Sequence, residues 1–85
     1  MSKYQLRKVV TGTDFYIKAG KSITEHREAL GISIGALAEE MGIEVSVMES
    51  CEQGKCEWDL RFAYDLCLRF GVTYDVLLKG TLDTA

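Results

Sequence analysis

Glycines follow four short segments of helical periodicity. Because a glycine can end each segment, the helices of this chain are expected to be short. Gly31, Gly42, Gly54 and Gly71 stand after segments in which apolar residues recur every three or four positions. Glycine accepts the left-handed conformation in which many helices end. Proline, the other common helix breaker, is absent from the 85 residues. The sequence therefore predicts a mainly α-helical chain of short helices joined by tight turns.

Capping residues indicate where these helices begin. Ser22 and Glu25 have capping-box spacing, Ser33 precedes a second helix, Glu44 begins a third, and Asp59 and Thr73 precede the last two. Five helices are therefore predicted between residues 22 and 80. The expected core positions are Ile23, Leu30 and either His26 or the stem of Arg27; Ile34, Leu37, Ala38 and Met41; Val47 or Met48, with Cys51; and Leu60, Ala63, Leu66, Cys67 and Phe70.

Length and composition favour one small domain. Hydrophobic residues make up 47% of the chain, which argues against disorder, and no apolar run approaches the roughly 18 residues of a membrane span. The start MSKYQLRKVV lacks the apolar segment of a secretory signal. Three cysteines cannot all pair within one chain, so reduced thiols in a cytoplasmic protein are expected.

The first 21 residues differ in pattern from the helical region. Tyr4 and Leu6 alternate with polar neighbours, a TGTD turn follows, and residues Phe15 to Lys18 are β-prone. Residues 1–21 are therefore expected to form a β-hairpin packed on the domain, with an extended arm as the alternative. Residues 22–80 would form the helical domain and residues 81–85 a C-terminal tail.

Charge is divided unevenly along the chain. Residues 1–27 hold six Lys and Arg against two acids, whereas the remainder holds four against eleven. Such asymmetry favours two surfaces with different partners, although it is also typical of ordinary solvated surface.

Together these residues resemble the lambda-repressor/Cro type of helix-turn-helix domain, the XRE family. The resemblance covers about two thirds of the chain and implies a five-helix fold, with the N-terminal hairpin or arm added to it. The matching residues are Ile32, Ser33, Leu37, Ala38, Glu39, Met41, Gly42, Ile43, Ser46, Met48, Glu52, Gly54, Lys55, Leu60, Leu66, Phe70, Gly71, Val72, Asp75, Leu77 and Leu78.

The positions that bind DNA in the family carry unusual residues here. A polar residue that contacts phosphate is typical where this chain has Ile34. The base-reading positions correspond to Glu44, Val45, Ser46, Glu49 and Ser50, and none is an arginine, lysine, asparagine or glutamine. Residues 33–52 hold five acids and no base, and Lys55 alone cannot neutralise several phosphates.

This chemistry favours a protein partner over DNA. The first hypothesis is a transcription regulator that kept the helix-turn-helix scaffold but binds and antagonises another protein, such as a transcription factor with a basic surface. Apolar and aromatic side chains outside the core would add contact area, although some could simply fill the core. The predicted partner surface comprises Ile34, Glu44, Val45, Glu49, Trp58, Tyr64 and Leu68.

The alternative is a conventional DNA-binding repressor, which would act as a dimer because one such domain reads a half-site. Ser46, Ser50 and Lys55 would then contact DNA, and the basic N-terminus would supply further charge through Lys3, Arg7 and Lys8. A homodimer formed through helices four and five fits either hypothesis.

An enzymatic or metal-binding role is not predicted. Cys51, Cys56 and Cys67 lack the paired C-x2-C spacing of zinc sites, and His26 is the only histidine. Cys51 and Cys67 are expected in the core and Cys56 in an exposed loop. No cofactor, metal or membrane partner is expected, since no phosphate-binding glycine loop is present and the remaining glycines are turns or helix ends.

Overall fold

The computed structural model of the protein describes residues 3–78, and it contains five helices and a two-stranded sheet. The predicted C-terminal tail at 81–85 lies outside the described residues. In chain order the elements are β1 (Arg7–Lys8), α1 (Asp14–Ala29), α2 (Ile34–Met41), α3 (Val45–Glu52), β2 (Cys56–Glu57), α4 (Leu60–Phe70) and α5 (Tyr74–Leu77).

Helix α1 begins at Asp14, nine residues before the start implied by the predicted cap at Ser22, so that cap was wrong. Thr13 caps the helix, and its hydroxyl accepts a hydrogen bond from the Tyr16 amide at 3.5 Å. Residues 15–18, expected as a strand, form the first turn because Phe15 and Tyr16 pack against Trp58. Tertiary packing thus overrides their strand propensity. The proposed boundary between residues 21 and 22 falls inside this continuous helix.

The N-terminal segment forms one short strand rather than a local hairpin. Strand β1 pairs antiparallel with β2, with Arg7 opposite Glu57 and Lys8 opposite Cys56. The pairing continues through the Val9 amide, which donates to the Lys55 carbonyl oxygen at 2.9 Å. The sheet therefore joins the beginning of the chain to the loop after α3.

The four later helices largely follow the predicted pattern. Ser33, Asp59 and Thr73 each accept a hydrogen bond from a backbone amide of the helix they cap, and Gly42 and Gly71 end α2 and α4 in the left-handed conformation. The buried hydrophobic residues are Tyr4, Ala19, Ile23, Leu37, Ala38, Met41, Met48, Cys51, Cys56, Trp58, Phe62, Ala63, Leu66, Cys67, Phe70 and Leu77.

Two residues predicted in the core and one cysteine predicted in an exposed loop were placed wrongly. Leu30 and Leu60, expected in the core, are exposed, while Cys56, expected in an exposed loop, is completely buried. Leu30 follows the last residue of α1 as its C-cap, where it has left the inward side of the helix. Cys56 is buried because β2 is covered on one side by the core and paired along its edge with β1.

A buried ion pair joins α1 to the end of α3. Arg27 Nε donates to a Glu52 carboxylate oxygen at 2.7 Å, and the two side chains are only 13% and 8% exposed. Thr24 donates a second hydrogen bond to Glu52 at 2.8 Å. Arg27 also donates to the Ile32 carbonyl oxygen at 2.8 Å, so the pair ties together α1, α3 and the turn before α2.

Candidate interaction surfaces

The exposed side of α3 carries acids and one apolar residue. Glu44 is the N-cap of α3, and its side chain makes no capping hydrogen bond. Val45 and Glu49 lie four residues apart and therefore on the same side of the helix, with Ser46 beside them. All four side chains are exposed. We call Glu44, Val45, Ser46 and Glu49 the acidic face.

The five acids between residues 33 and 52 divide into two groups. Glu52 is paired with Arg27, and Glu40 is paired with Arg69 on α4. The other three, Glu39, Glu44 and Glu49, make no ion pair within residues 3–78. The chain also has no lysine, arginine or histidine between Arg27 and Lys55. Within residues 3–78, the charge of the acidic face is therefore not neutralised by an ion pair.

Two of the predicted contact residues are less exposed to solvent than expected. Ile34 is half buried and packs against the core, so it is not a free apolar residue on the surface. Ser50 is also half buried, and its hydroxyl donates to the Ser46 carbonyl oxygen at 3.1 Å. Val45 and Ser46 remain exposed, as predicted.

The basic residues of the N-terminus are held on the domain. Lys3 lies 3.2 Å from an Asp65 carboxylate oxygen, and Arg7 lies 3.5 Å from a carboxylate oxygen of Glu57. Lys8 is exposed, and the strand pairing brings it close to Lys55, which is also exposed. Lys8 and Lys55 are therefore two exposed lysines on neighbouring backbone segments just after the end of α3.

The predicted aromatic surface on α4 is only partly exposed. Trp58 was assigned to it wrongly, because its ring is buried between those of Tyr16 and Phe62, at centroid distances of 5.2 and 5.7 Å. Tyr64 and Leu68 are exposed, as predicted, and Leu60 joins them. These three residues are spaced by four, and we call Leu60, Tyr64 and Leu68 the α4 stripe.

Sequence reasoning missed a cavity of about 300 Å³ between the N-terminal segment, α2 and α4. Tyr4 donates a hydrogen bond to Asp65 at 2.5 Å, and Lys3 lies against the same carboxylate. The Tyr4 hydroxyl, followed by Lys3, holds the pKa of Asp65 below its usual value. The lining residues are Lys3, Tyr4, Glu40, Met41, Asp65, Leu68 and Arg69, and their ionised groups pair with one another.

The three cysteines are buried, and His26 packs against a residue of the core. Cys51, Cys56 and Cys67 are buried, as predicted for the first and last of them. Burial raises the pKa of the Cys51 and Cys67 thiols, which keeps them protonated and unreactive. His26 stacks on Phe70 with ring centroids 5.6 Å apart. Residues 3–78 contain no cluster of three potential metal ligands, and no helix in that range is long and apolar enough to cross a membrane.

Comparison with known proteins shows the fold of this chain. No family model and no curated protein matches the sequence. Among solved structures, the crystal structure of the clp gene regulator ClgR from C. glutamicum is similar, with a TM-score of 0.75 over 85% of this chain and 92% of that chain. The two are 17% identical in sequence, so the similarity concerns the fold alone. The predicted fold class, a mainly α five-helix helix-turn-helix domain, is thereby confirmed.

Proposed function

We propose that this protein regulates transcription by binding another protein through the acidic face and blocking its action. The partner would be a transcription factor with a basic surface, so that the protein acts as an antiactivator or antirepressor. The observation that carries this proposal is the exposure of Glu44 and Glu49 on a helix that has no basic residue. The similarity of its fold to that of the clp gene regulator ClgR supports the assignment to transcription.

The position of Glu44 argues against binding of a phosphate at the start of α3. The N-terminus of a helix attracts anions because its first amides are unpaired and the helix dipole is positive there. Glu44 is the N-cap residue, so its carboxylate already lies at this end of α3. Like charges 4 Å apart repel by about 1 kcal/mol in bulk water and about 4 kcal/mol near a protein surface. Docking α3 against a DNA backbone would therefore be opposed by the acidic face.

A basic protein surface would instead be attracted to the same residues. Complementary charges raise the rate of encounter and exclude partners of the wrong sign. Val45 lies between Glu44 and Glu49 and is exposed, so it offers an apolar contact that becomes buried on binding. The acids would then orient the partner, and Val45 would contribute apolar contact area at the centre.

Reversing the charge of the acidic face should abolish most of the affinity for the partner. The double variant Glu44→Lys and Glu49→Lys is expected to bind about 100-fold more weakly, since each close interfacial charge pair contributes at least about 1.5 kcal/mol. The partner is first captured from the source cells with immobilised wild-type protein, and its Kd is then measured by calorimetry with each purified variant.

A matched control separates the acidic face from the net charge. Asp14→Lys with Glu25→Lys changes the charge by the same amount on exposed positions of α1. This control variant should bind within about threefold of the wild type, as expected for substitutions outside an interface. Equal losses in both double variants would show a general charge effect, and an unchanged Kd for the α3 variant would exclude the acidic face as the binding site.

The conventional repressor is supported by one observation, the pair of exposed lysines at Lys8 and Lys55 beside the end of α3. In that alternative, a dimer would read DNA through Ser46 and Ser50, and the lysines would contact phosphates. Each phosphate contact contributes about 0.9 to the slope of log K against log salt. Two lysines would therefore give a shallow but measurable salt dependence.

Duplex DNA at low salt distinguishes the two functions. We expect wild-type protein to form no salt-sensitive complex with a labelled mixed-sequence duplex, as measured by fluorescence anisotropy. Low salt favours even weak backbone binding, so the absence of a complex under this condition would argue strongly against DNA binding. A complex that is lost in Lys8→Ala with Lys55→Ala, but kept in Lys18→Ala with Lys21→Ala on α1, would instead establish the repressor function.

A further inference from the structure

The ammonium group of Lys3 lies between a carboxylate and an aromatic ring at the edge of the cavity. Its nitrogen is 3.2 Å from an Asp65 carboxylate oxygen and 5.3 Å from the centre of the Tyr4 ring. A carboxylate and the face of an aromatic ring both attract a cation. Tyr4 is fixed in place, since its hydroxyl donates to Asp65 at 2.5 Å and its ring packs edge-on against Phe62. Asp65 and Tyr4 therefore form a preformed cation site.

Lys3 is held in this site only weakly. Its side chain is 57% exposed, whereas that of Asp65 is 15% exposed. An ion pair with an exposed member contributes little to stability, because water screens the charge and a long side chain must be ordered. A cation from outside the chain can therefore replace Lys3 one for one. The exchange leaves the Asp65 carboxylate paired and the charge of the site unchanged.

The cavity can hold the rest of a basic side chain. Its volume of about 300 Å³ is at the lower end of the range of about 300–1,000 Å³ for small-molecule sites, so it suits a single side chain. Two apolar residues line it, buried Met41 and exposed Leu68 of the α4 stripe. Long basic side chains bury their methylene groups on such surfaces while the charged head reaches a polar partner.

We propose that the cavity binds an arginine side chain of the partner protein, whose guanidinium group replaces the Lys3 ammonium group beside Asp65 and Tyr4. Arginine fits better than lysine because its planar head stacks on aromatic rings and contacts a carboxylate through two N–H groups. The occupant rests on the proposed function, since the partner that supplies the arginine is the protein attracted to the acidic face. Lys3 then competes with the partner for the site.

The cavity adjoins the acidic face. Met41 is the last residue of α2 and Glu44 is the N-cap of α3, so their Cα atoms lie no more than about 11 Å apart. A standard interface covers about 800 Å² on each partner, so one basic surface can cover both the acidic face and the cavity. Arginine side chains seated in pockets are frequent anchors of such interfaces. The cavity would add an anchor to the charge attraction of α3.

A capped arginine tests the site without the partner. N-acetyl-arginine amide is titrated into wild-type, Lys3→Ala and Asp65→Asn protein, and amide chemical shifts measured by NMR give the dissociation constants. We expect saturable shifts of the cavity residues, with about threefold higher affinity in Lys3→Ala because the competing ammonium group is gone. Asp65→Asn should not saturate, and neither should wild-type protein with N-acetyl-norleucine amide, which has an alkyl chain but no cation.

Lys18→Ala is the matched control for Lys3→Ala, because it removes the same charge from an exposed position on α1. It should bind the capped arginine like the wild type. Circular dichroism first confirms that each variant is folded, and Lys3→Ala removes only an exposed side chain if Asp65→Asn fails this check. The absence of saturable shifts in Lys3→Ala would overturn the site, as would equal binding of the norleucine compound. An affinity in Lys3→Ala no higher than in Lys18→Ala would overturn the exchange with Lys3.

The same variants separate the cavity from the proposed function. Lys3→Ala should lower the Kd for the partner about threefold, and Asp65→Asn should raise it at least about tenfold. If both leave this Kd unchanged while Glu44→Lys with Glu49→Lys abolishes binding, the cavity proposal fails and the proposed function stands. If reversal of the acidic face has no effect either, the proposed function fails, and the capped-arginine titration alone decides the site.

Discussion

Replacing Gly54 with alanine should destabilise the protein by about 3 kcal/mol or more. Gly54 has φ +78°, a left-handed conformation that costs a residue with a side chain about 1–2 kcal/mol. An added Cβ atom would also lie 2.5 Å from Ile17 Cα and 2.8 Å from its nitrogen. Backbone atoms cannot rotate away from such a contact, so α1 would have to move, and overpacking of this kind costs about 1–3 kcal/mol.

Gly42→Ala is the matched control for this prediction. Gly42 has φ +72°, and its Cβ would meet no atom within 4 Å. Its substitution should therefore cost only the conformational part, about 1–2 kcal/mol. Urea unfolding followed by circular dichroism gives both changes in the free energy of unfolding. Equal changes in the two variants would show that α1 can move away from the added methyl group without losing stability. That result would contradict the close packing at Gly54.

The close packing at Gly54 matters because it helps to fix the position of α3 against α1. Gly54 follows α3 and contacts Ile17 of α1, and further along α1 a Cβ on Gly20 would meet the Glu52 carbonyl oxygen. The C-terminal end of α3 is therefore packed directly on the backbone of α1. The exposed residues of the acidic face keep their positions because the buried side of α3 is fixed in this way.

Local signals were sufficient to predict α2, α4 and α5. Their caps at Ser33, Asp59 and Thr73 act within one helical turn, so the sequence alone locates them. The start of α1 depends instead on contacts across the chain. Phe15 reaches Trp58, which lies 43 positions later, and no local pattern distinguishes that contact from a strand. Non-local packing is the reason that the first helix was predicted too short.

The candidate surfaces, like the helices, could be predicted where residue types alone decide and not where long-range contacts decide. The acids of the acidic face were found by comparing residue types with those that bind DNA, which needs only the sequence. The pairing of Glu40 with Arg69 and of Glu52 with Arg27 spans 29 and 25 positions, respectively, and only the structure shows it. Leu60 was misplaced because its spacing fits both sides of α4: it lies three residues before buried Ala63 and four before exposed Tyr64.

Removing one partner of the Arg27–Glu52 pair should have the largest effect on stability. Arg27→Ala leaves the carboxylate of Glu52, a side chain 8% exposed, without its cation, and breaking such a buried pair costs about 3–5 kcal/mol. The same variant loses the hydrogen bond from Arg27 to the Ile32 carbonyl oxygen. Arg69→Ala is the control, because its pair with Glu40 is half exposed and should contribute at most about 1 kcal/mol.

A double variant shows whether the cost of Arg27→Ala comes from the unpaired charge. Arg27→Met with Glu52→Met replaces both ionised groups by apolar side chains, which is often neutral when a buried pair is removed as a whole. The double variant should therefore unfold at a higher urea concentration than Arg27→Ala. If Arg27→Ala and Arg69→Ala are equally mild, the pair is solvated in solution. Glu52 would then join Glu44 and Glu49 as a free acid of α3, and the acidic face would be larger than its exposed residues indicate.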